Sequence, residues 1–226
     1  MHYASYYRWL IIQDWVRVTA SDRLLDVGCD DGEIIARMPA ALRIGVDLNP
    51  RSPDPHTIWL VRSTAQSLPL PSGYFSAVFA FDLIEHVEQD QVVLAELVRV
   101  LAPNGTLWLS TPCADFAIFP RWLMGRATQS WGHVRNGYTV AELERKLPGG
   151  MSLDVMIWNE PFLRACYLGL RILNSISPAM ARSLARVCLN LDRSFTQGLR
   201  GHLFVRIRKN LPLRPQPPVT SVTLSL

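Results

Sequence analysis

Paired cysteines, long apolar runs and a complete dinucleotide fingerprint are all missing from this sequence, and each absence excludes something. The four cysteines, Cys29, Cys113, Cys166 and Cys188, are scattered with no C-x-x-C pair, so neither a zinc knuckle nor a disulfide framework is indicated. They read as reduced thiols of a cytosol-facing, cytoplasmic protein, and no metal site is expected. No stretch approaches the roughly 20 apolar residues of a membrane span. Met1-His2-Tyr3-Ala4 has no basic region followed by an apolar core, so no signal peptide is expected. No internal repeat is visible. Only 19% of the 226 residues are charged and 49% are hydrophobic, which suits one α/β domain with a modest elaboration. That domain is expected over residues 1–209, and the proline-rich stretch 210–226 reads as a disordered tail.

What the sequence does have begins at Arg23-Leu24-Leu25-Asp26-Val27-Gly28-Cys29-Asp30-Asp31-Gly32. The short apolar run predicts a strand buried on both faces. A glycine turn follows, then Glu33 to Met38 with apolar residues at helical spacing. Strand, turn and helix N-terminus form the place where an open α/β sheet takes its ligand. Only Gly28 and Gly32 remain of G-x-G-x-x-G, with Asp30 where a middle glycine would sit. Asp26 at the strand end would crowd a pyrophosphate with like charge, whereas it suits a ligand carrying an ammonium or sulfonium group. A second strand, Arg43 to Asp47, ends in an acid about twenty residues after the turn, where a carboxylate accepts hydrogen bonds from both hydroxyls of a ribose.

Leu24 to Gly32 resembles the first motif of class I S-adenosylmethionine-dependent methyltransferases, L-D-V-G-C-G-x-G, with Asp30 for a glycine. Thr64 through Val78 resembles the D-A-x-x-L-P-F-x-x-x-x-F-D-x-V stretch of their type-11 branch, with Thr64 and Ser76 replacing two acids. Ile84-Glu85-His86-Val87 matches an L-E-H-V-like tetrapeptide after the fourth strand. Arg99 to Leu107 is similar to R-V-L-K-P-G-G-x-L, and Asn104 stands for a glycine; Asn tolerates the left-handed backbone such a turn uses. The matches span residues 24–112 in the family's order.

The resemblance implies a Rossmann-like fold: a seven-stranded, mostly parallel sheet with helices on both faces and a helical insertion before the last strand. It implies S-adenosyl-L-methionine as cofactor, held by Asp26, Gly28, Gly32, Asp47, Leu48, Ala65, Gln66 and Phe81. Thr64 lacks the carboxylate that would meet the adenine amino group, so that contact passes to Gln66 or to backbone. The implied activity is methyl transfer to a small-molecule or lipid-linked acceptor, at oxygen. His86, after the fourth strand, is the candidate general base, because its ordinary pKa suits removal of a hydroxyl proton. His133, in a segment similar to H-x-R-x-Y-t-x-x-E-L, is the second candidate. RNA methylation remains an alternative, as does a non-catalytic cofactor-binding or membrane-interaction protein.

Other elements follow from local pattern. Residues 5–18 predict an amphipathic helix capped by Ser5 and packed on the sheet edge, with covering of the cofactor crevice as the alternative. Thr57 to Val61 reads as a third strand, and Asp90 to Leu101 as a helix. Cys113 to Trp131, with Trp122 and Met124, reads as a lid over the acceptor, and a lone Cys113 is expected to be inert. Thr139 and Glu142 stand at capping-box spacing. Ser152 to Trp158 and Gly201 to Ile207 read as the last two strands. Between them, residues 161–197 carry apolar stripes at Phe162, Ala165, Cys166, Gly169, Leu170 and Leu173, then at Met180, Leu184, Val187 and Leu191. Arginines 164, 171, 182, 186 and 193 interrupt the stripes. With a net charge of +4 and arginine concentrated in the later half, an anionic membrane surface is a candidate partner. Nucleic acid is disfavoured, since Phe81-Asp82-Leu83-Ile84 does not resemble the Asn/Asp-Pro-Pro-Tyr of base-amino methyltransferases.

Overall fold

The computed structural model describes residues 3–51, 58–118, 122, 124–195 and 200–209. Seven strands form one sheet: β1 (Arg23–Val27), β2 (Leu42–Asp47), β3 (Trp59–Arg62), β4 (Phe75–Phe81), β5 (Leu101–Pro112), β6 (Met151–Asn159) and β7 (Arg200–Lys209). Their spatial order is β3-β2-β1-β4-β5-β7-β6. All pairings are parallel except those of β7, which runs antiparallel to both β5 and β6. The chain leaves β1 in one direction to β2 and later returns to its other side as β4. That reversal opens a crevice beyond the carboxyl ends of β1 and β4, where such sheets bind ligands.

Side-chain alternation divides the core into two layers, one on each face of the sheet. On one face Leu25, Val27, Val78, Ala80, Leu107 and Leu109 pack under α3 (Asp90–Val100) and α5 (Val140–Lys146). On the other, Leu24, Ala77, Phe79, Trp108 and Phe204 pack under α1 (Tyr3–Ile12), α2 (Glu33–Ala36) and α8 (Pro178–Asp192). The remaining helices are α4 (Met124–Trp131), α6 (Pro161–Ala165) and α7 (Tyr167–Ile176). The expected fold class, including the helical insertion before the last strand, is the one observed.

Several local expectations change. The first helix spans Tyr3–Ile12 rather than 5–18, so Ser5 lies inside it and does not cap it. It closes where the N–H groups of Trp15 and Val16 both donate to Ile12 O, and Val16 turns into the core. Of the two expected placements, the helix takes the one beside the crevice, which its inner face walls. Thr57 and residues 210–226 lie outside the described residues, and β3 begins at Trp59. Asn104 takes the expected left-handed backbone (φ 61°), and Asp30, in place of the family's glycine, takes one too (φ 48°). Thr139 and Glu142 form a reciprocal capping box.

The insertion folds with its stripes rotated. On α8 the buried residues are Ala181, Ala185, Cys188 and Leu189, whereas Met180, Val187 and Leu191 face outward. The two sets differ by one position, about 100° around a helix. The close approach of α1 and α7 favours small residues on the inner face. Arg164 also departs from the expected basic surface: it is buried.

Candidate active site

Two adjoining cavities occupy the crevice. The smaller, about 520 Å³, is walled by Gly28, Asp47, Leu48, Ser63, Ala65, Gln66, Leu83 and residues 86–89. The larger, about 670 Å³, lies between the sheet ends and helices α1, α6 and α7. Gly28 and His86 line both.

The smaller cavity suits a nucleoside. Gly28 turns with φ 80°, and a Cβ there would meet Leu83 Cδ1 at 3.1 Å, so backbone alone fits this wall. Asp47, the last residue of β2, accepts from Asp30 N (3.0 Å, Oδ2) and Asn49 N (2.9 Å, Oδ1). Those amides fix the carboxylate in place while leaving further lone pairs for ribose hydroxyls. Of the expected cofactor residues, Gly28, Asp47, Leu48, Ala65 and Gln66 line this cavity, and Phe81 lines the larger one. Gly32 lines neither; it starts α2 at φ 67° and shapes the loop. Asp26 also lines neither. It is buried behind the loop, and loss of water raises its pKa to about 7.

His86 and His133, far apart in sequence, meet edge to face with ring centroids 4.6 Å apart. A buried network brings them together. Tyr138 Oη donates to Asp90 Oδ2 (2.7 Å), Arg135 and Lys146 pair with Asp90 at 2.8 and 3.0 Å, and Val134 N donates to Glu85 O (2.9 Å). Much of the H-x-R-x-Y resemblance is therefore scaffolding that carries His133 to the crevice. His86 Nδ1 lies 3.3 Å from Gly132 O. A carbonyl only accepts, so Nδ1 holds the proton and Nε2 keeps its lone pair. Burial lowers the pKa of His86, and burial together with His86 lowers that of His133 to about 4. Both rings are neutral at pH 7.

Sequence reasoning missed the polar wall of the larger cavity. Arg8 from α1 pairs with Asp82, whose Oδ1 accepts from Ser110 Oγ at 2.6 Å. His202 Nδ1 pairs with Glu160 Oε1 at 2.8 Å. Glu85 sits beside His86 in the short turn Ile84–His86, fully buried, and its Oε1 has no hydrogen-bond partner. Burial raises its pKa to about 7. One signal was available, because Arg8 is the only charged residue in the otherwise apolar run Tyr3–Ile12. Glu85, His86 and His133 also each offer a metal-ligand atom, all within 4.8 Å of one another. Phe116 and Trp131 line the same cavity, whereas Trp122 is exposed; residues 119–121 and 123 of the expected lid lie outside the described residues. Cys113 is buried, and none of the four cysteines is in a disulfide.

The site is an open sheet whose reversal point carries a fixed acid, Asp47, next to a second polar cavity. Comparison with known proteins narrows the class. Residues 25–109 match the family model described as "Methyltransferase domain". The 27-O-demethylrifamycin SV methyltransferase of Amycolatopsis mediterranei is 29% identical over 45% of this chain and 41% of its own length. The ubiquinone biosynthesis O-methyltransferase of Xanthomonas oryzae pv. oryzae is 30% identical over 41% of this chain and 44% of its own. The chain thus spans less than half the length of the curated relatives it matches. An S-adenosylmethionine dependent methyltransferase from Mesorhizobium loti shares the fold, with a TM-score of 0.62 at 18% identity over 89% of this chain and 97% of that one. Residues 25–109 thus match a methyltransferase domain, and the fold is one shared with S-adenosylmethionine-dependent methyltransferases.

Proposed function

We propose that this protein O-methylates a small-molecule or lipid-linked acceptor held in the larger cavity. The observation that carries the reading is the position of His86, the one titratable side chain lining both cavities. S-adenosyl-L-methionine supplies an activated methyl group on a sulfonium. Asp47 and the Gly28 turn hold the nucleoside end, and the aromatic side chains of the larger cavity orient the acceptor and exclude water. His86 Nε2 removes the hydroxyl proton as the oxygen attacks, and His133, neutral and packed against it, positions the ring. Relatives whose names specify O-methylation of a rifamycin and in ubiquinone biosynthesis support this chemistry.

The test is acceptor screening with methyl-labelled cofactor against lipid, small-molecule and RNA fractions. Label in an organic-soluble ether is expected, and label confined to RNA overturns the reading. His86→Ala is expected to lower turnover roughly a hundredfold or more with cofactor affinity retained. Because a base works deprotonated and the pKa of His86 is lowered, the wild-type rate should rise with pH below the usual histidine range and then level off. A full-rate His86→Ala variant would return this histidine to a structural role.

The insertion adds a surface. Ile172 and Ile176 on α7, 57% and 76% exposed, and Met180 and Val187 on α8, 59% and 53% exposed, form an uncovered apolar face. Arg171, Arg186 and Arg193 stand exposed on the same helical pair or at its end. No helix among the described residues is long and apolar enough to cross a membrane. The proposed occupant of this face is an anionic lipid surface, to which each nearby basic residue contributes about 1 kcal/mol. Co-sedimentation with phosphatidylglycerol vesicles should rise with anionic lipid, fall with salt and be lost in an Ile172→Glu, Ile176→Glu double variant. Binding that ignores lipid charge, or survives that change, excludes this face as the docking site.

A further inference from the structure

Arg164 is a buried cation lining the larger cavity, and it lacks a full set of partners. Its residue surface is 4% exposed, and its guanidinium lies over the Phe116 ring, 4.6 Å from the centroid. Neither Nε nor Nη2 makes a hydrogen bond. The carboxylate oxygen Glu160 Oε1 lies 3.8 Å from Nε, and that oxygen is taken by His202 Nδ1 at 2.8 Å. Two carboxylates of the wall are held more closely: Asp82 by Arg8, and Glu160 by the His202 ring. Burying guanidinium N–H groups without acceptors is costly, and a planar pair of oxyanion oxygens satisfies two of them at once.

We propose that Arg164 is a specificity residue that binds an oxyanion group on the acceptor, with the acceptor's aromatic ring lying against Phe116 and Trp131. This rests on the methyltransferase reading and adds to it the chemical class of the acceptor, an anionic hydroxyarene. Phe116 stacks on the guanidinium from one side and contacts Trp131 at a centroid distance of 6.1 Å, so charge recognition and ring recognition adjoin. Stacking holds the fork in one plane, which favours a bidentate oxyanion over a neutral polar group.

The test uses the full chain with S-adenosylhomocysteine present and compares matched probes by calorimetric titration: 3,4-dihydroxybenzoate against catechol, and phenyl phosphate against phenol. The anionic member of at least one pair should bind about tenfold or more tightly than its neutral partner, and the pair showing it identifies carboxylate or phosphate. R164Q should bring that ratio near one without changing the affinity for S-adenosylhomocysteine, and R164K should fall between. The wild-type comparison stands by itself if R164Q does not fold. Equal affinity within both pairs, binding of neither anion, or a preference that survives R164Q overturns the proposal. Binding of S-adenosylhomocysteine in the same titrations shows that such a failure is separate from the methyltransferase reading; its absence would remove that reading instead.

Discussion

Asp47→Ala is expected to weaken S-adenosyl-L-methionine binding by roughly ten- to a hundredfold. The carboxylate ends β2 and is held by two backbone amides, Asp30 N and Asn49 N, at 3.0 and 2.9 Å. Truncation removes the acceptor for the ribose hydroxyls and also frees the Asp30 turn that shapes the cofactor cavity. Asp47→Asn keeps one carbonyl acceptor at the same place, so it should lose less. Calorimetric titration of the three proteins checks the order, and unchanged affinity in Asp47→Ala would take this residue out of the site.

Glu85→Gln is expected to stabilise the protein at pH 8 and to leave it unchanged near pH 4. Burial raises the Glu85 pKa to about 7 from an ordinary 4.5, and its Oε1 has no partner to offset the lost water. The folded state therefore holds this proton more tightly than the unfolded chain does. The resulting stability is fully present below the unfolded pKa and is lost as pH rises through 4.5 toward 7. Above that window the folded protein carries a buried carboxylate at a cost of about 3 kcal/mol. Glutamine keeps an acceptor for Thr111 Oγ1, which bonds Glu85 Oε2 at 3.1 Å. A midpoint rise of about 6–10 °C at pH 8 is expected for a domain of this size. Thermal unfolding of both proteins across that range decides it, since a gap independent of pH would assign the effect to packing. Asp26 is raised in the same direction, so the wild type alone cannot separate the two groups.

The rotated stripe of α8 shows where reading from sequence stopped. Met180, Leu184, Val187 and Leu191 are the most apolar residues at helical spacing there, and the periodicity correctly marked a helix. Two of those four positions are more than half exposed, while Ala181 and Ala185 are buried. Periodicity reports that a helix has faces, but which face turns inward depends on how closely its neighbours approach. Arg164 was misread for a related reason. An arginine beside apolar residues looks like a surface charge until the fold closes an aromatic cavity around it.

The sequence by itself determined the strand–turn–helix at Leu24 to Gly32, the acid at the end of β2 and the ordered motifs to Pro112. Those features are local: backbone conformation, burial period and turn chemistry are decided by residues a few positions apart. They were enough to define the sheet and half the lining of the smaller cavity. Tertiary structure alone decided the larger cavity. Arg8, Glu85, His133, Glu160, Arg164 and His202 come from segments up to 194 residues apart along the 226-residue chain and share one wall only because β7 returns beside β5. Apart from Glu160 and Arg164, one helical turn apart, they are not neighbours in sequence. Their burial, their pairing and their shifted proton affinities arise from the closing of α1, α6 and α7 over the strand ends.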